Sequence, residues 1–221
     1  MKNLDRVYIT AIGFNAKKCI KDLMEIGYHW DPLDENIFFA IVLVDFSNNT
    51  FDNAITDFLS TTKALDGIHL VLIDVTPGKF IHLTREEFDS YLIIRQKNKQ
   101  NIILQFFKLF FDGFVNHGMV NLDYYDFYDI IKGKNFLSIN TYQFRDTLNE
   151  VSDKVGLLDF SNQGKELFYF QTVYKGDIYI NQELEILQRF LKSSNQKSEL
   201  RWGFNYKDDD HYLCIMVTNK I

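Results

Sequence analysis

The sequence predicts an α/β chain with a parallel-sheet N-terminal part, a long central helix and a smaller C-terminal α/β part with a mixed sheet. Three observations carry this. Ile37–Val44 is apolar without a break, as a strand buried on both faces of a parallel sheet is, and Ile68–Val75 reads as the next buried strand. The segment between them has the 3.6-residue period of an amphipathic helix. The stretch Asn98–Asn116 has apolar residues on nearly every side, which places it inside protein.

The elements follow in order. Arg6–Ile12 is a short β-rich run, and Gly13-Phe14-Asn15 turns the chain. Asn15 is suited to cap a helix that carries Ala16, Cys19, Ile20, Leu23 and Met24 on one face, and Gly27 to stop it. After the strand at Ile37–Val44, a polar turn Ser47–Thr50 leads to a helix over Asp52–Lys63 that buries Ile55, Phe58 and Leu59. With Ile68–Val75 this makes a right-handed crossover unit. Thr84-Arg-Glu-Glu87 has the form of a capping box and predicts a helix carrying Phe88, Tyr91 and Leu92 inward.

The central helix spans Asn98–Asn116, with Ile102, Ile103, Phe106, Phe107, Phe110, Phe111 and Phe114, and is placed between two sheets as a spine. A short helix ending near Gly133, a strand at Asn135–Phe144 and a polar helical stretch to Lys154 come next. They are followed by a strand at Leu167–Tyr174 and a helix capped by Asn181. Glu199–Tyr206 and His211–Thr218 read as a hairpin with an acidic tip. The expected division is 1–97, 98–117 and 118–221.

Composition narrows the partners. A net charge of −6 argues against duplex nucleic acid, which needs a basic face to neutralise phosphates. Two distant cysteines make no disulfide framework, and the five histidines show no metal-ligand spacing, so no metal is expected. The absence of a signal peptide and of a long apolar span predicts a cytoplasmic protein. The 21 phenylalanines fill a rich core or a surface that another chain completes.

A parallel α/β half invites phosphate binding between a strand end and a helix start, where glycines let backbone amides approach the anion. The turn after the first strand has one glycine, Gly13, followed by Phe14. The turn after the second, Asp45–Phe51, has none, and Asp45 would repel a phosphate. The turn Thr76-Pro-Gly-Lys79 lacks phosphate-loop spacing. A conventional nucleotide hydrolase is therefore not expected. In Asn121-Leu-Asp123-Tyr-Tyr-Asp126 two carboxylates three residues apart share one side of a helix start. They are placed to orient a water on a neighbouring chain's substrate, or simply to cap the helix.

Gly118-Met-Val-Asn-Leu-Asp-Tyr-Tyr-Asp126, set after a long helix, resembles the tubulin/FtsZ superfamily and bacterial FtsZ in particular. There the central helix is followed by a loop reading roughly Gly-(Leu)-Ile-Asn-x-Asp-x-x-Asp, whose polar positions Asn121, Asp123 and Asp126 match. Val7–Gly27, with its Asn15-Ala16 pair, looks like that family's first strand, phosphate loop and first helix. Ile37–Phe80 and Phe168–Thr218 are similar in order to later segments.

The departures are as informative. The family's Gly-Gly-Gly-Thr-Gly-Thr-Gly signature should stand at Asp45–Phe51, where there is no glycine, and Tyr28–Asn36 is too short for the strands that wall the nucleotide pocket. The resemblance also places a flexible tail after the last hairpin in FtsZ, and none is expected here, where Ile221 follows that hairpin directly. In the family, nucleotide sits on one subunit and the aspartate loop of the next completes hydrolysis.

The resemblance thus implies a cytoskeletal, cell-division type of protein reduced to a pseudo-GTPase, with no catalytic residue or cofactor of its own. It implies degenerate phosphate-loop positions at Gly13, Asn15, Asn48 and Thr50. It also implies a protein partner, either self or an FtsZ-like chain, docked through the Asp123/Asp126 loop. Two alternatives stay open. One is a divergent GTP-binding polymer using Asn15, Ser47, Asn48, Asn49 and Thr50 in place of backbone amides. The other is an unrelated α/β interaction module with a Phe-rich surface.

Overall fold

The computed structural model describes residues 2–47, 51–77, 86–94, 96–115, 122–144, 165–173, 188, 199–207 and 211–220. The elements of the first half are β1 (Lys2–Leu4), β2 (Val7–Ile12), α1 (Phe14–Glu25), β3 (Tyr28–Trp30), β4 (Phe39–Val44), α2 (Phe51–Thr62), β5 (His69–Asp74) and β6 (Ser90–Ile94). There follow α3 (Lys99–Phe110), a π-helical turn (Phe111–Val115), α4 (Tyr124–Ile131), β7 (Gly133–Phe144), β8 (Lys165–Val173), β9 (Glu199–Lys207) and β10 (His211–Lys220).

One eight-stranded sheet runs in the order β2-β4-β5-β6-β7-β10-β8-β9, and β1 pairs with β3 in a small parallel ladder. β2, β4, β5, β6 and β7 are mutually parallel. β10 alone is antiparallel to both of its neighbours, and β8 and β9 are parallel. The expected fold class, a parallel sheet continued by a smaller mixed region, is what the structure shows.

Side chains alternate across the sheet with the period of two that strands impose. On one face Phe39, Ile41 and Leu43 of β4, Val71 and Ile73 of β5, and Leu92 and Ile94 of β6 meet α1, α3 and α4. On the other Ala40, Val42 and Val44, Leu70 and Leu72, and Tyr91 and Ile93 meet Ile55, Phe58 and Leu59 of α2. Phe106, Phe107, Phe110 and Phe127 have no accessible surface, and each contributes about 1.5–3 kcal/mol by burial. Their rings meet edge-on, with Phe110 and Phe127 4.9 Å apart at 86°.

Several expectations are corrected. Residues 90–94 form strand β6, not a helix, because Tyr91-Leu-Ile-Ile94 is a continuous apolar run with two β-branched residues and is buried on both faces. Thr84 and Arg85 of the capping motif lie outside the described residues, as do the helix expected before Lys154 and, residue 188 apart, the one expected after Asn181. Met24 is 53% exposed, because α1 turns only Ala16, Cys19 and Leu23 fully inward. β9 and β10 are not a hairpin, since β8 lies between them. The strand with the apolar Cys-Ile-Met-Val run takes the interior place, and β9, with Glu199, Arg201, Asn205 and Lys207, takes the edge. α3 does not separate two sheets. The β6–β7 ladder makes the large sheet continuous, and α3 packs on one face of it.

The chain order also creates a reversal. From β2 the chain passes through α1 to β3, which reaches the outer side of β2 where the Asp31 amide donates to the Val7 carbonyl at 3.1 Å. From β4 it passes through α2 to β5, in the opposite direction across the sheet. A common crossover hand then puts α1 and α2 on opposite faces, as observed. The point of reversal, at the C-terminal ends of β2 and β4, is where open parallel sheets form a crevice.

Candidate functional site

At that crevice the side chains are the protein's own anions. Gly13 precedes α1 at φ 93°, a left-handed value that suits glycine, and a Cβ there would stand 2.7 Å from the Asp45 carbonyl oxygen. The close approach is therefore to the chain itself. Asp45, buried at the end of β4, accepts the Asn15 backbone N–H at 3.0 Å and the Asn15 Nδ2 at 2.6 Å through one carboxylate oxygen. Its other oxygen accepts the Ser47 N–H at 3.0 Å and the Ser47 hydroxyl at 2.5 Å. Burial opposes its ionisation, yet the hydrogen bonds from Ser47 and Asn15 outweigh it and hold the carboxyl below the ordinary carboxylate value. α1 thus has no side-chain cap of its own; Gly13 is the N-cap residue, and Asn15, expected as cap, instead grips Asp45.

The same device recurs one strand further. Asp74, with no exposed surface, accepts the Thr76 N–H at 2.7 Å, and the Thr76 hydroxyl accepts the Phe46 N–H at 2.8 Å. Both aspartates receive an N–H from two residues on, the geometry of an Asx turn. The second oxygen of Asp74 has no hydrogen-bond partner among the described residues. Burial raises the Asp74 carboxyl above its ordinary value, although hydrogen bonds from Thr76 and the nearby Lys99 oppose this. Burial lowers the Lys99 ammonium, and Asp74 and Asp45 pull it back up.

Beside this network lies a cleft of about 190 Å³ between α1 and the start of α3, lined in part by Asn15, Lys18, Lys97, Asn98, Lys99 and Gln100. Asn98 caps α3 by accepting the Asn101 N–H. Gln100 Nε2 donates to Asp22, tying α3 to α1. Cys19 borders the cleft, but burial first and then Asp22 push its thiol up to about 11, so it is no nucleophile.

The opposite ends of the strands hold the aspartate loop. Asp123 caps α4 and accepts the Asp126 N–H at 2.8 Å, while Asp126 accepts the Asp123 N–H at 3.2 Å, a reciprocal capping box. Asp126 also pairs with Arg201 Nε at 3.0 Å, and Asp129 with Arg201 Nη2 at 3.1 Å. Asp123 remains exposed, next to Tyr125 at 64% exposure. Around them gather Phe38, Tyr124, Tyr128 and His69, with His69 stacked 3.9 Å from Tyr128 and the Arg6 guanidinium over Phe38 and Tyr124.

The structure therefore brings Gly13 and Asn15 together at one end and Asp123 and Asp126 together at the other. Asn48, Asn49, Thr50 and Asn121 lie outside the described residues. Sequence reasoning saw Asp45 only as a repellent to phosphate and missed it as the ligand of the α1 amide. The Asp-x-Ser and Asp-x-Thr spacing after β4 and β5 was the available signal. Arg201 carried none, since its partners are distant in sequence. Among the described residues no group of three or more His, Cys, Asp or Glu could hold a metal ion, and no helix is long and apolar enough to cross a membrane.

No protein-family model matches the chain, and no curated protein matches it. Solved structures do. An FtsZ of M. jannaschii superposes with a TM-score of 0.61 at 8% identity, covering 98% of this chain and 91% of that one. CetZ2 from Haloferax volcanii, in a GTPγS-bound protofilament, gives 0.59 at 10%, covering 92% and 71%. The type III plasmid segregation protein TubZ gives 0.54 at 9%, covering 83% of this chain, which spans only 64% of the TubZ chain. At these identities the likeness is one of architecture alone: this chain has the tubulin/FtsZ fold.

Proposed function

We propose that the protein is a pseudo-GTPase, a non-catalytic assembly or regulatory member of the FtsZ-like kind that associates with itself or with an FtsZ-like chain without binding nucleotide. The observation that carries this is the Asp45 carboxylate on the Asn15 amide at the start of α1. A helix start at a strand reversal is where a phosphate would be held. The residues present do not fit that group. A polyphosphate would have to displace an ionised, hydrogen-bonded carboxylate and face Asp74 behind it. Gly13 has no spare room to offer it, since its open side is against Asp45.

The opposite end supports docking. Tyr125 and Asp123 are exposed beside a firm ring cluster, so a partner meets a prepared surface at little cost in side-chain ordering. Asp126, held by Arg201 and by its cap, positions this surface and leaves Asp123 and Tyr125 to touch the partner. Docking head-to-tail builds a filament wherever the rotation between successive copies does not close a ring. The solved relatives include a TubZ four-stranded filament and an FtsZ dimer. The division into 1–97, 98–117 and 118–221 belongs to this proposal: the first part carries the blocked crevice, the second couples it to the docking end.

A second reading has one observation in its favour. Lys18, Lys97 and Lys99 border a single cleft beside the crevice, which suits a divergent GTP-binding polymer that holds nucleotide with side chains. Titrating the protein into fluorescently labelled GTP and following anisotropy decides between them. No saturation, together with assembly visible by electron microscopy in nucleotide-free buffer, is the outcome expected. Saturable micromolar binding would overturn the pseudo-GTPase reading in favour of the second.

A further inference from the structure

The two most exposed large apolar side chains among the described residues stand at opposite ends of one face of the sheet. Phe14, 75% exposed, opens α1 at the C-terminal end of β2. Tyr125, 64% exposed, lies in the first turn of α4 against Phe38, which leads into β4. α1 and α4 bury their inner residues in the same core cluster, so both rings belong to that face. A single exposed ring is ordinary on a protein surface. Two at the two ends of one face meet when a second copy is set further along the strand direction. Phe14 and Lys17 border a groove of about 420 Å³ whose other walls include Ala11, Ile12 and Ala54. It offers apolar carbon on which a tyrosine ring can lie while its hydroxyl stays wet.

The charge around the two rings identifies the occupant. At the Tyr125 end Asp5, Asp31, Asp34, Glu35 and Asp123 are open or half open. Arg6, its guanidinium over Phe38 and Tyr124, stands among them as the cation. At the Phe14 end Asp45 and Asp74 are buried, while Lys17, Lys18 and Lys97 are exposed. Lys17 and Lys18 follow Phe14 by three and four residues, which sets them beside it one turn along α1. The carboxylate exposed at this end, among the described residues, is Asp52 at the start of α2. The majority charges of the two ends are opposite, and so are the minority ones, Asp52 and Arg6. Ends so arranged attract each other in unlike pairs and repel in like ones.

We propose that the partner received at the Phe14 end is a second copy of this chain, with its Tyr125 in the groove and its Asp123 on Lys17. This rests on the reading of Asp123 and Tyr125 as a docking end. It adds the surface that receives them and the chemistry of the joint, which is ring contact and opposite charge. Both halves are built in advance: Gly13 fixes the start of α1 against Asp45, and the capping box fixes the start of α4. Little ordering is then needed on contact. Ion pairs at an exposed rim are screened by salt, so the joint is salt-sensitive and indifferent to nucleotide.

Sedimentation velocity at about 100 μM in nucleotide-free buffer, where even a ~10 μM contact is populated, should show association. Raising the salt from ~50 mM to ~0.5 M should weaken it at least about tenfold. Lys17→Asp and Asp123→Lys should each weaken it to a similar degree alone. An equimolar mixture of the two should recover it, because the altered ends then match each other and the unaltered ends still match. Phe14→Ser removes an exposed ring, so it should leave the melting temperature unchanged and weaken association in the same direction. Tyr125→Ser gives the same reading at the acidic end if Asp123→Lys does not fold. Monomeric wild-type protein overturns the proposal. Association lost with Asp123→Lys or Tyr125→Ser but untouched by Lys17→Asp and Phe14→Ser also overturns it, and leaves the docking end standing. Association that none of the four alters removes the docking end as well.

Discussion

At the C-terminal ends of β2, β4 and β5 the chain closes over carboxylates, whereas at the other ends of the same strands it closes over rings. The carboxylate end is held by directional bonds to Asp45 and Asp74, each from a residue two positions on and, for Asp45, also from Asn15 of α1. The ring end is held by contacts among Phe38, Phe39, His69, Tyr124, Phe127 and Tyr128, which come from three elements and the turn before β4. Directional bonds fix a local shape and tolerate no intruding anion. Ring packing fixes the relative position of distant segments and leaves an apolar outer layer that another protein can use. One sheet can therefore keep a framework while its two ends take different tasks.

The largest test falls on the ring end. Phe127→Ala should cost about 3–5 kcal/mol, read from urea denaturation, since a fully buried ring touching Phe39, Phe106 and Phe110 is lost. A loss under about 1 kcal/mol would mean that these rings do not anchor α4 to the sheet. Gly13→Ala probes the carboxylate end: its φ of 93° alone costs about 1–3 kcal/mol, and the contact with Asp45 adds to it. If thermal melting shows no change, the close approach of Gly13 to Asp45 is not the constraint described.

Asp123→Ala should remove about 1 kcal/mol of capping and also reduce assembly in a pelleting assay. Loss of stability with assembly intact would leave the cap and remove the docking role. The smallest effect concerns His69. Burial lowers its imidazole below the ordinary histidine value, with Asp89 opposing and Lys132 reinforcing the shift. The folded state then binds its proton less readily than the unfolded state, so the stability this gives is present above the unfolded value and declines as pH falls toward the folded one. Acidification from neutral pH should lower Tm slightly, and His69→Phe should flatten that slope.

How much of this was legible in the sequence depended on the range of the interaction. β4 was readable because burial on both faces leaves a continuous apolar run, β5 because of its apolar centre Leu70–Ile73, and α3 because its apolar circumference admits few alternatives. β6 was misread because Thr84-Arg-Glu-Glu87 is a local helix signal, while the decision for a strand came from β5 and β7 on either side. The place of β10 between β7 and β8 was equally invisible, since adjacency of β9 and β10 in sequence suggests a hairpin. At the site, Asp123 and Asp126 lie within one helical turn and their pairing could be read directly. The grip of Asn15 on Asp45 spans thirty residues and needed the sheet to bring it about.

The position of β10 has a consequence for biosynthesis. β7 and β8 have no ladder to each other, and every backbone bond linking them runs through β10, the latest of the eight strands to be made. As the chain folds, β2 to β7 can assemble as one piece and β8 with β9 as another. The two stay unjoined, each with an open edge, until residues 211–220 insert between them. Any interval before that insertion exposes two complementary edges at once, and chaperone capture should concentrate there.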